Sequence, residues 1–353
     1  MRRALALFLM LAVARADVLP YPDVRPGDRV VLPADAGAHP DFRTEWWYVT
    51  GWLATAAGEP LGFQVTFFRT RPSQETGNPS AFAATQVLIA HAAISDPKRG
   101  RLWHDQRIAR AVMGLASAAT ERTEVHLRDW SLTERGTGFA AKVAADEFSL
   151  ALSLEPTQAA LLNGGSGYSQ KGPAPTSASL YYSLPQLKVT GSIVRGAARD
   201  AVTGSAWLDH EWSSAYLDDA ATGWDWVGIN LDDGGALMAF RIRDAGGRAR
   251  WAGGTLRSAA GDLRVLTPDA VRFSPGRRWR SPRTGVEYPV EWRLAVGDLS
   301  LSLAPLMDDQ ESDSRPTTGA VYWEGAVEAR IEGRRIGRGY LELTGYGERL
   351  RLR

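Results

Sequence analysis

The sequence predicts an all-β fold in two successive units, each a sandwich or barrel of antiparallel strands. Three observations carry this expectation. First, strand-like runs recur along the chain: LGFQVTFFRT, TQVLIAHAAIS, EFSLALSLEP, LKVTGSIV, GALMAFRIR, DLSLSLAP and GYLELTGY. Each alternates or is rich in β-branched and aromatic residues, and Gly, Asp or Pro turns separate them. Second, helix signals are scarce, confined to short stretches around Pro156 to Leu162 and Arg107 to Ala118. Third, the two halves match in order. WWYVTGWL (46–53) resembles WDWVGINL (224–231), EFSLALSLEP (147–156) resembles DLSLSLAP (298–305), and SAWLDHEW (205–212) resembles GYLELTGY (339–346). A preserved order of this kind reads as an internal duplication. It places the units at 17–215 and 216–353, with the junction near Ser213 to Gly223. The length of 353 residues agrees with about two domains at ~150 residues each.

The first residues, MRRALALFLMLAVARADV, have the layout of an export signal. Arg2 and Arg3 form a charged start, Ala4 to Val13 an apolar run, and Ala14-Arg15-Ala16 a small-residue cleavage site. Residues 1–16 are therefore expected to be removed, leaving an exported chain that is periplasmic or secreted. The apolar run is too short to span a bilayer. The chain has no cysteine, which excludes disulfides, zinc–thiolate sites and a cysteine nucleophile. Basic and acidic residues balance, 41 against 40, which argues against a nucleic-acid binder. GGSGY (164–168) fails the G-x-S-x-G nucleophile pattern, and no HExxH, phosphate loop or dinucleotide glycine set occurs. The five histidines are scattered, so neither a metal site nor a cofactor is expected. The acidic run MDDQESD (307–313) has the ligand type for calcium but reads first as a solvated loop. The stretch NGGSGYSQKGPAPTSAS (163–179) interrupts the strand pattern and reads as a lid, a binding loop or a plain connection.

Two stretches carry candidate chemistry. In WLDHEW, strand alternation puts His210 and Trp212 on one face with Leu208, and Trp207, Asp209 and Glu211 on the other. An imidazole titrates near neutral pH and moves protons, and an indole face stabilises cations. A histidine bonded inside a core is the plain alternative. The second half keeps an acid at Glu342 but has Leu343 where the first has His210, so the strand does not need the histidine to form. His210, Trp212, Asp209 and Glu211 are the catalytic candidates. In EWWYVTGWL, Trp46, Tyr48 and Trp52 share one face, and Glu45, Trp47 and Leu53 the other. Aromatics on both faces suit a wall between a cavity and a second layer, although tryptophan also simply favours strands. Trp46, Trp47, Tyr48, Trp52, Tyr181, Tyr182, Trp224, Asp225 and Trp226 are the ligand-binding candidates.

Taken together, EWWYVTGWL, YSQKG…ASLYYSLPQL, WLDHEWSS and GWDWVGINL resemble the carotenoid 1,2-hydratase (hydroxyneurosporene synthase) family and its AttH-like relatives, often labelled secreted hydrolases. The resemblance runs from about residue 39 to 346. It implies two tandem lipocalin-like barrels and, in the hydratases, cofactor-free addition of water to a terminal C=C bond of an acyclic carotenoid. His210 and Trp212 match that family's D-H-x-W pattern; for a further Tyr and Asp, only Tyr216, Asp218 and Asp225 lie nearby. The implied partner is a hydrophobic small molecule, with transient membrane-surface contact compatible with such a ligand. The alternatives are a carrier without chemistry and a hydrolase with an unfamiliar motif.

Overall fold

The structure, a computed structural model, describes residues 21–72 and 85–350. The expected export signal at 1–16 lies outside the described residues. Strand accounts for 59% of the chain and helix for 3%, so the fold is all-β.

Two large antiparallel sheets form in sequence order. The first contains β1 (Thr44–Thr55), β2 (Pro60–Thr70), β3 (Val87–Asp96), β4 (Arg101–Arg110), β5 (Ala116–Ala118), β6 (Glu124–Leu127), β7 (Trp130–Arg135), β8 (Gly138–Ala144), β9 (Phe148–Glu155), β10 (Leu161–Leu162), β11 (Tyr168–Gln170), β12 (Ala178–Arg195) and β13 (Ala198–Ser213). The second contains β14 (Gly223–Leu231), β15 (Ala236–Arg243), β16 (Ala249–Arg257), β17 (Leu263–Leu266), β18 (Val271–Pro275), β21 (Trp292–Val296), β22 (Leu299–Pro305), β23 (Glu311–Ser314), β24 (Ala320–Ile331) and β25 (Arg334–Leu343), with β19 (Arg278–Arg280) and β20 (Glu287–Pro289) as a separate hairpin.

Their strand orders correspond. The first sheet runs β4-β3-β2-β1-β13-β12-β9-β8-β7 and on to β5, the second β17-β16-β15-β14-β25-β24-β22-β21-β18. Thus β1 corresponds to β14, β13 to β25 and β9 to β22, the correspondences suggested by the matched sequence stretches, and β12 corresponds to β24. The first sheet curls until β3 and β4 meet β6, leaving a nearly closed barrel. Each sheet encloses its own apolar core, around Trp47, Phe63 and Trp130 in the first and around Tyr288, Trp292 and Trp323 in the second. A third cluster, including Tyr48, Trp52, Tyr181, Trp207, Trp226, Phe240 and Tyr340, joins the two sheets.

Neither stretch read as helical is a helix. Arg107 to Arg110 continues β4, in register with Ala90 to Val87 of β3, and Leu161–Leu162 pairs with β12. Strand pairing here overrides the helix preference of Arg and Ala. Among the described residues the one α-helix is α1 (Arg315–Thr318). The Gly/Pro/Ser-rich stretch 163–179 is anchored: β11 pairs with β12, and Lys171 is buried beyond it. The acidic run is a solvated loop only in part: Asp308 pairs with Arg277 and Asp309 with Arg283, whereas Gln310, Glu311 and Ser312 are buried where β23 pairs with β24.

Candidate functional site

The site follows from alternation along β1 and β13. These strands pair so that Trp47 lies opposite His210, Glu45 opposite Trp212, Tyr48 opposite Asp209 and Trp46 opposite Glu211. Directly opposed residues share a face. Hence one face of D-H-E-W turns into the first barrel and the other toward the second sheet.

On the barrel side His210 and Trp212 are buried. Trp47 stacks on His210 at 4.8 Å, and His39 stacks on Trp212 at 3.7 Å. The Tyr182 hydroxyl lies 3.1 Å from His210 Nδ1, and Glu45 Oε1 lies 2.9 Å from Nε2. Glu45 also faces His39 Nδ1 at 2.8 Å and accepts from Arg69 Nε at 2.7 Å. Burial works against the Glu45 carboxylate, but bonds from His210 and His39 and the charges of His210 and Arg69 hold it well below the usual carboxylate range. Burial likewise keeps His210 below its usual value, against the pull of Glu45. His39, Glu45 and His210 bring ligand-type atoms within 4.8 Å of one another. A cation there would compete with Arg69, whose guanidinium also bonds the Phe42 and His39 carbonyls. The arrangement is a charge-paired network around a fully partnered Glu45, although Trp47 Nε1 and Trp212 Nε1 are buried without hydrogen-bond partners.

On the other side lies a cavity of about 210 Å3 between the sheets. The first sheet contributes Trp46, Tyr48, Phe68, Ile89, His91, Asp209 and Glu211, with Glu45 and Arg69 at the wall; the second contributes Trp224, Trp226, Tyr322, Glu324 and Glu342. Tyr216, in the connection between sheets, and Thr317 of α1 complete much of the rim. The duplication is visible in the walls. Asp209 faces Tyr48 across β13 and β1, and Glu342 faces Trp226 across β25 and β14. Each accepts an indole N–H: Trp207 Nε1 to Asp209 at 2.6 Å, and Trp224 Nε1 to Glu342 at 2.8 Å. The symmetry breaks one strand further. Ser183 of β12 donates to Asp209 Oδ1 at 2.5 Å, whereas the corresponding β24 residue opposite Glu342 is a second acid, Glu324.

These carboxyls are fully buried, and burial disfavours the charged form. Burial raises Asp209 to about 7, against bonds from Ser183, Trp207 and Tyr181 and with the help of the Glu211 charge. Burial and the charge of Glu342 push Glu324 well up. Glu342 is raised too, mainly by burial, so this pair holds a proton at neutral pH. Among the described residues, Glu324 Oε1 and the Tyr48 hydroxyl have no close hydrogen-bond partner. Glu211 differs, because it meets Lys171 Nζ at 2.9 Å. Burial pushes Glu211 up and Lys171 down, while their attraction favours the ion pair. The ammonium also sits over the rings of Phe240 (4.1 Å), Tyr181 (4.8 Å) and Tyr216 (5.2 Å). His91 is held neutral, its value lowered to about 3 by burial and by His104. The site thus combines aromatic walls, buried carboxyls raised toward their protonated form and two ion-paired carboxylates, Glu211 with Lys171 and Glu45 with Arg69.

Of the expected site residues, Trp46, Tyr48, Asp209, Glu211, Trp224 and Trp226 meet at this cavity. His210, Trp212, Trp47 and Tyr182 lie behind the wall in the first barrel. Trp52 fastens the sheets together: its Nε1 donates to Gly339 O at 3.0 Å, and Arg338 lies over its ring. Tyr181 is between the sheets, its hydroxyl accepting from Trp226 Nε1 at 3.0 Å. Asp225 points into the second core, bound by Arg241, Arg243 and Tyr346. Glu324, Glu342, His91 and Tyr322 were not expected. The available signal was a single ionisable residue inside an apolar strand, as in LIAHAAIS and AVYWEGAV.

The fold and site define a two-sheet, lipocalin-like β protein with an acid-lined aromatic cavity at the junction. The chain belongs to the AttH-like family, which matches residues 23–346. An AttH-type protein from Nitrosomonas europaea is 51% identical, with a TM-score of 0.87, covering 92% of this chain and 99% of that one. Kievitone hydratase from Nectria haematococca is similar in fold, with a TM-score of 0.69 at 16% identity, covering 93% of this chain and 96% of that one. A comparison with curated proteins finds no match.

Proposed function

We propose that the chain is a cofactor-independent hydratase that adds water to a C=C bond of an apolar, isoprenoid-like ligand held between the sheets. The observation that carries this reading is Asp209, a buried carboxyl raised to about 7 on an aromatic wall. Such a group keeps its proton on a good share of the molecules at neutral pH and can serve as a proton donor. Asp209 gives its proton to one alkene carbon, leaving a carbocation at the other. The faces of Trp46, Trp224 and Trp226 and the Glu211 carboxylate stabilise that charge. Water adds its oxygen to the cation and passes a proton to the Glu324–Glu342 pair. Exchange with solvent then returns both acids to their starting states. The hydratase resemblance of the sequence and the fold likeness to kievitone hydratase are compatible with this chemistry. A cavity of about 210 Å3 suits one end group of a long chain better than the whole of it.

Mass spectrometry of apolar compounds extracted from the purified protein tests the reading. An unsaturated ligand together with its hydrated form supports it, an apolar ligand that is never hydrated makes the protein a carrier, and a polar ligand overturns both readings. As part of the same proposal, the leader at 1–16 exports the chain, and N-terminal sequencing beginning at Asp17 checks this.

A further inference from the structure

Most polar side chains on the cavity wall are already partnered. Asp209 accepts from Ser183 and Trp207, and Glu342 accepts from Trp224. Glu211 meets Lys171, and His91 meets Tyr322 and Thr317. Two buried groups differ. The Tyr48 hydroxyl and Glu324 Oε1 face the same cavity and have no hydrogen-bond partner among the described residues. Their residues are 7% and 4% exposed. Thr70 Oγ1 is also without a partner, but Thr70 is only half-buried. It sits at the end of β2 opposite Thr44, four residues along β1 from Tyr48. A buried polar atom left unpaired is costly, so two of them on one hollow mark a place for a polar group.

The two groups come from different sheets. Tyr48 is on β1, opposite Asp209 on β13. Glu324 is on β24, opposite Glu342, which is in turn opposite Trp226. The Tyr48 ring packs edge-to-face with Trp226, their centroids 5.3 Å apart, so the phenol reaches the acids of the second sheet. Burial raises the Tyr48 hydroxyl well above its usual value, and the charges of Glu324 and Glu342 raise it further, so it stays a donor. Glu324, pushed toward its protonated form by burial and by Glu342, donates as well as accepts. Together they offer donors and acceptors without a fixed charge, which suits a hydroxyl or a water. An anion finds no free cation on this wall among the described residues, because Arg69 is held by Glu45.

We propose that Tyr48 and Glu324 form an oxygen subsite of the cavity, which takes a neutral hydroxyl group on an otherwise apolar ligand. In the hydration this subsite positions the attacking water. Asp209 protonates one alkene carbon, and the oxygen of the water held by Tyr48 and Glu324 bonds to the cationic carbon. The surplus proton of that water passes through Glu324 to the acid pair. The alcohol so formed keeps its oxygen in the same subsite. The water-positioning role rests on the hydratase reading, whereas recognition of a hydroxyl does not.

The test is headspace gas chromatography over the purified protein with two probes of similar shape, 2-methylheptan-2-ol and 2,2-dimethylheptane. The native chain should bind the alcohol. Tyr48→Phe removes only the hydroxyl, so it should weaken the alcohol about fivefold, the scale of one lost neutral hydrogen bond, and leave the hydrocarbon unchanged. Its Tm should not fall, because that hydroxyl has no partner in the protein. Glu324→Leu should repeat the loss, and Glu324→Gln, which keeps a donor and an acceptor, should not. No alcohol bound by the native chain, alcohol affinity indifferent to Tyr48→Phe, both probes weakened together, or equal alcohol affinities in the two Glu324 variants would each overturn the subsite. If the binding results hold and no alkene is hydrated, the hydratase reading fails alone and the subsite stands.

Discussion

Replacing Asp209 by asparagine should stabilise the protein, and the gain should depend on pH. The introduced amide mimics the protonated carboxyl. Its oxygen can accept from Ser183 Oγ and Trp207 Nε1, both of which donate to Oδ1. In the unfolded chain this carboxyl titrates near 3.8, in the folded chain near 7. Between those values the folded state holds a proton that the unfolded state has lost, so stability falls as pH rises. The contribution is fully present below about pH 4 and is gone above about pH 7. Moving a carboxyl from 3.8 to about 7 corresponds to roughly 4 kcal/mol, at about 1.4 kcal/mol per pH unit. Urea unfolding of both proteins across this range measures it. The two should be nearly equal at low pH, and the Asp209→Asn variant should be more stable by several kcal/mol at pH 8. Comparing the pair cancels the other buried groups to first order, including Glu211, Lys171 and the Glu324–Glu342 pair. A stability difference that stays constant with pH would refute the assignment of the proton to Asp209. The same variant should keep ligand affinity and lose turnover by ~10²–10⁴-fold.

Further outcomes follow from the same geometry. Glu324→Gln removes the acid that burial and Glu342 push well up, so urea unfolding should show higher stability at neutral pH; unchanged stability would contradict the pairing. His210→Leu takes one partner from the buried Glu45 and should cost on the order of 1–3 kcal/mol in urea unfolding, while ligand affinity changes little because His210 is behind the cavity wall. Lys171→Met leaves Glu211 buried without its cation; Glu211 should then titrate higher, and the 163–179 segment should exchange amide hydrogens faster.

Much of the fold was legible in the sequence because its two signals are local and repeated. Alternating strands need only period-two patterning, and the matched order of WWYVTGWL, DLSLSLAP and SAWLDHEW carries over to the strand order of both sheets. The aromatic excess in EWWYVTGWL also has a plain cause. Trp47 fills the first barrel while Trp46, Tyr48 and Trp52 meet the second sheet. The site was only half legible. Alternation separates Asp209 and Glu211 from His210 and Trp212, but no local pattern says which face meets a cavity. That depends on a second sheet whose strands lie more than a hundred residues away. Glu324 escaped notice, and Glu342 was read only as the counterpart of the first half's acid, for the same reason, since each is a lone acid until cross-strand pairing sets them opposite each other. The helix expectation for Arg107 to Ala118 failed because pairing with β3 is invisible in composition.

Proton transfer from Asp209 to an alkene in the inter-sheet cavity is the central claim. The decisive measurement is incubation of the purified protein with an acyclic carotenoid bearing terminal isoprenoid double bonds, in 18O-labelled water, followed by mass spectrometry. The account predicts a product carrying one labelled oxygen and two added hydrogens with the native chain, and none with Asp209→Asn. Unlabelled substrate recovered from both proteins, or equal hydration by both, would contradict it.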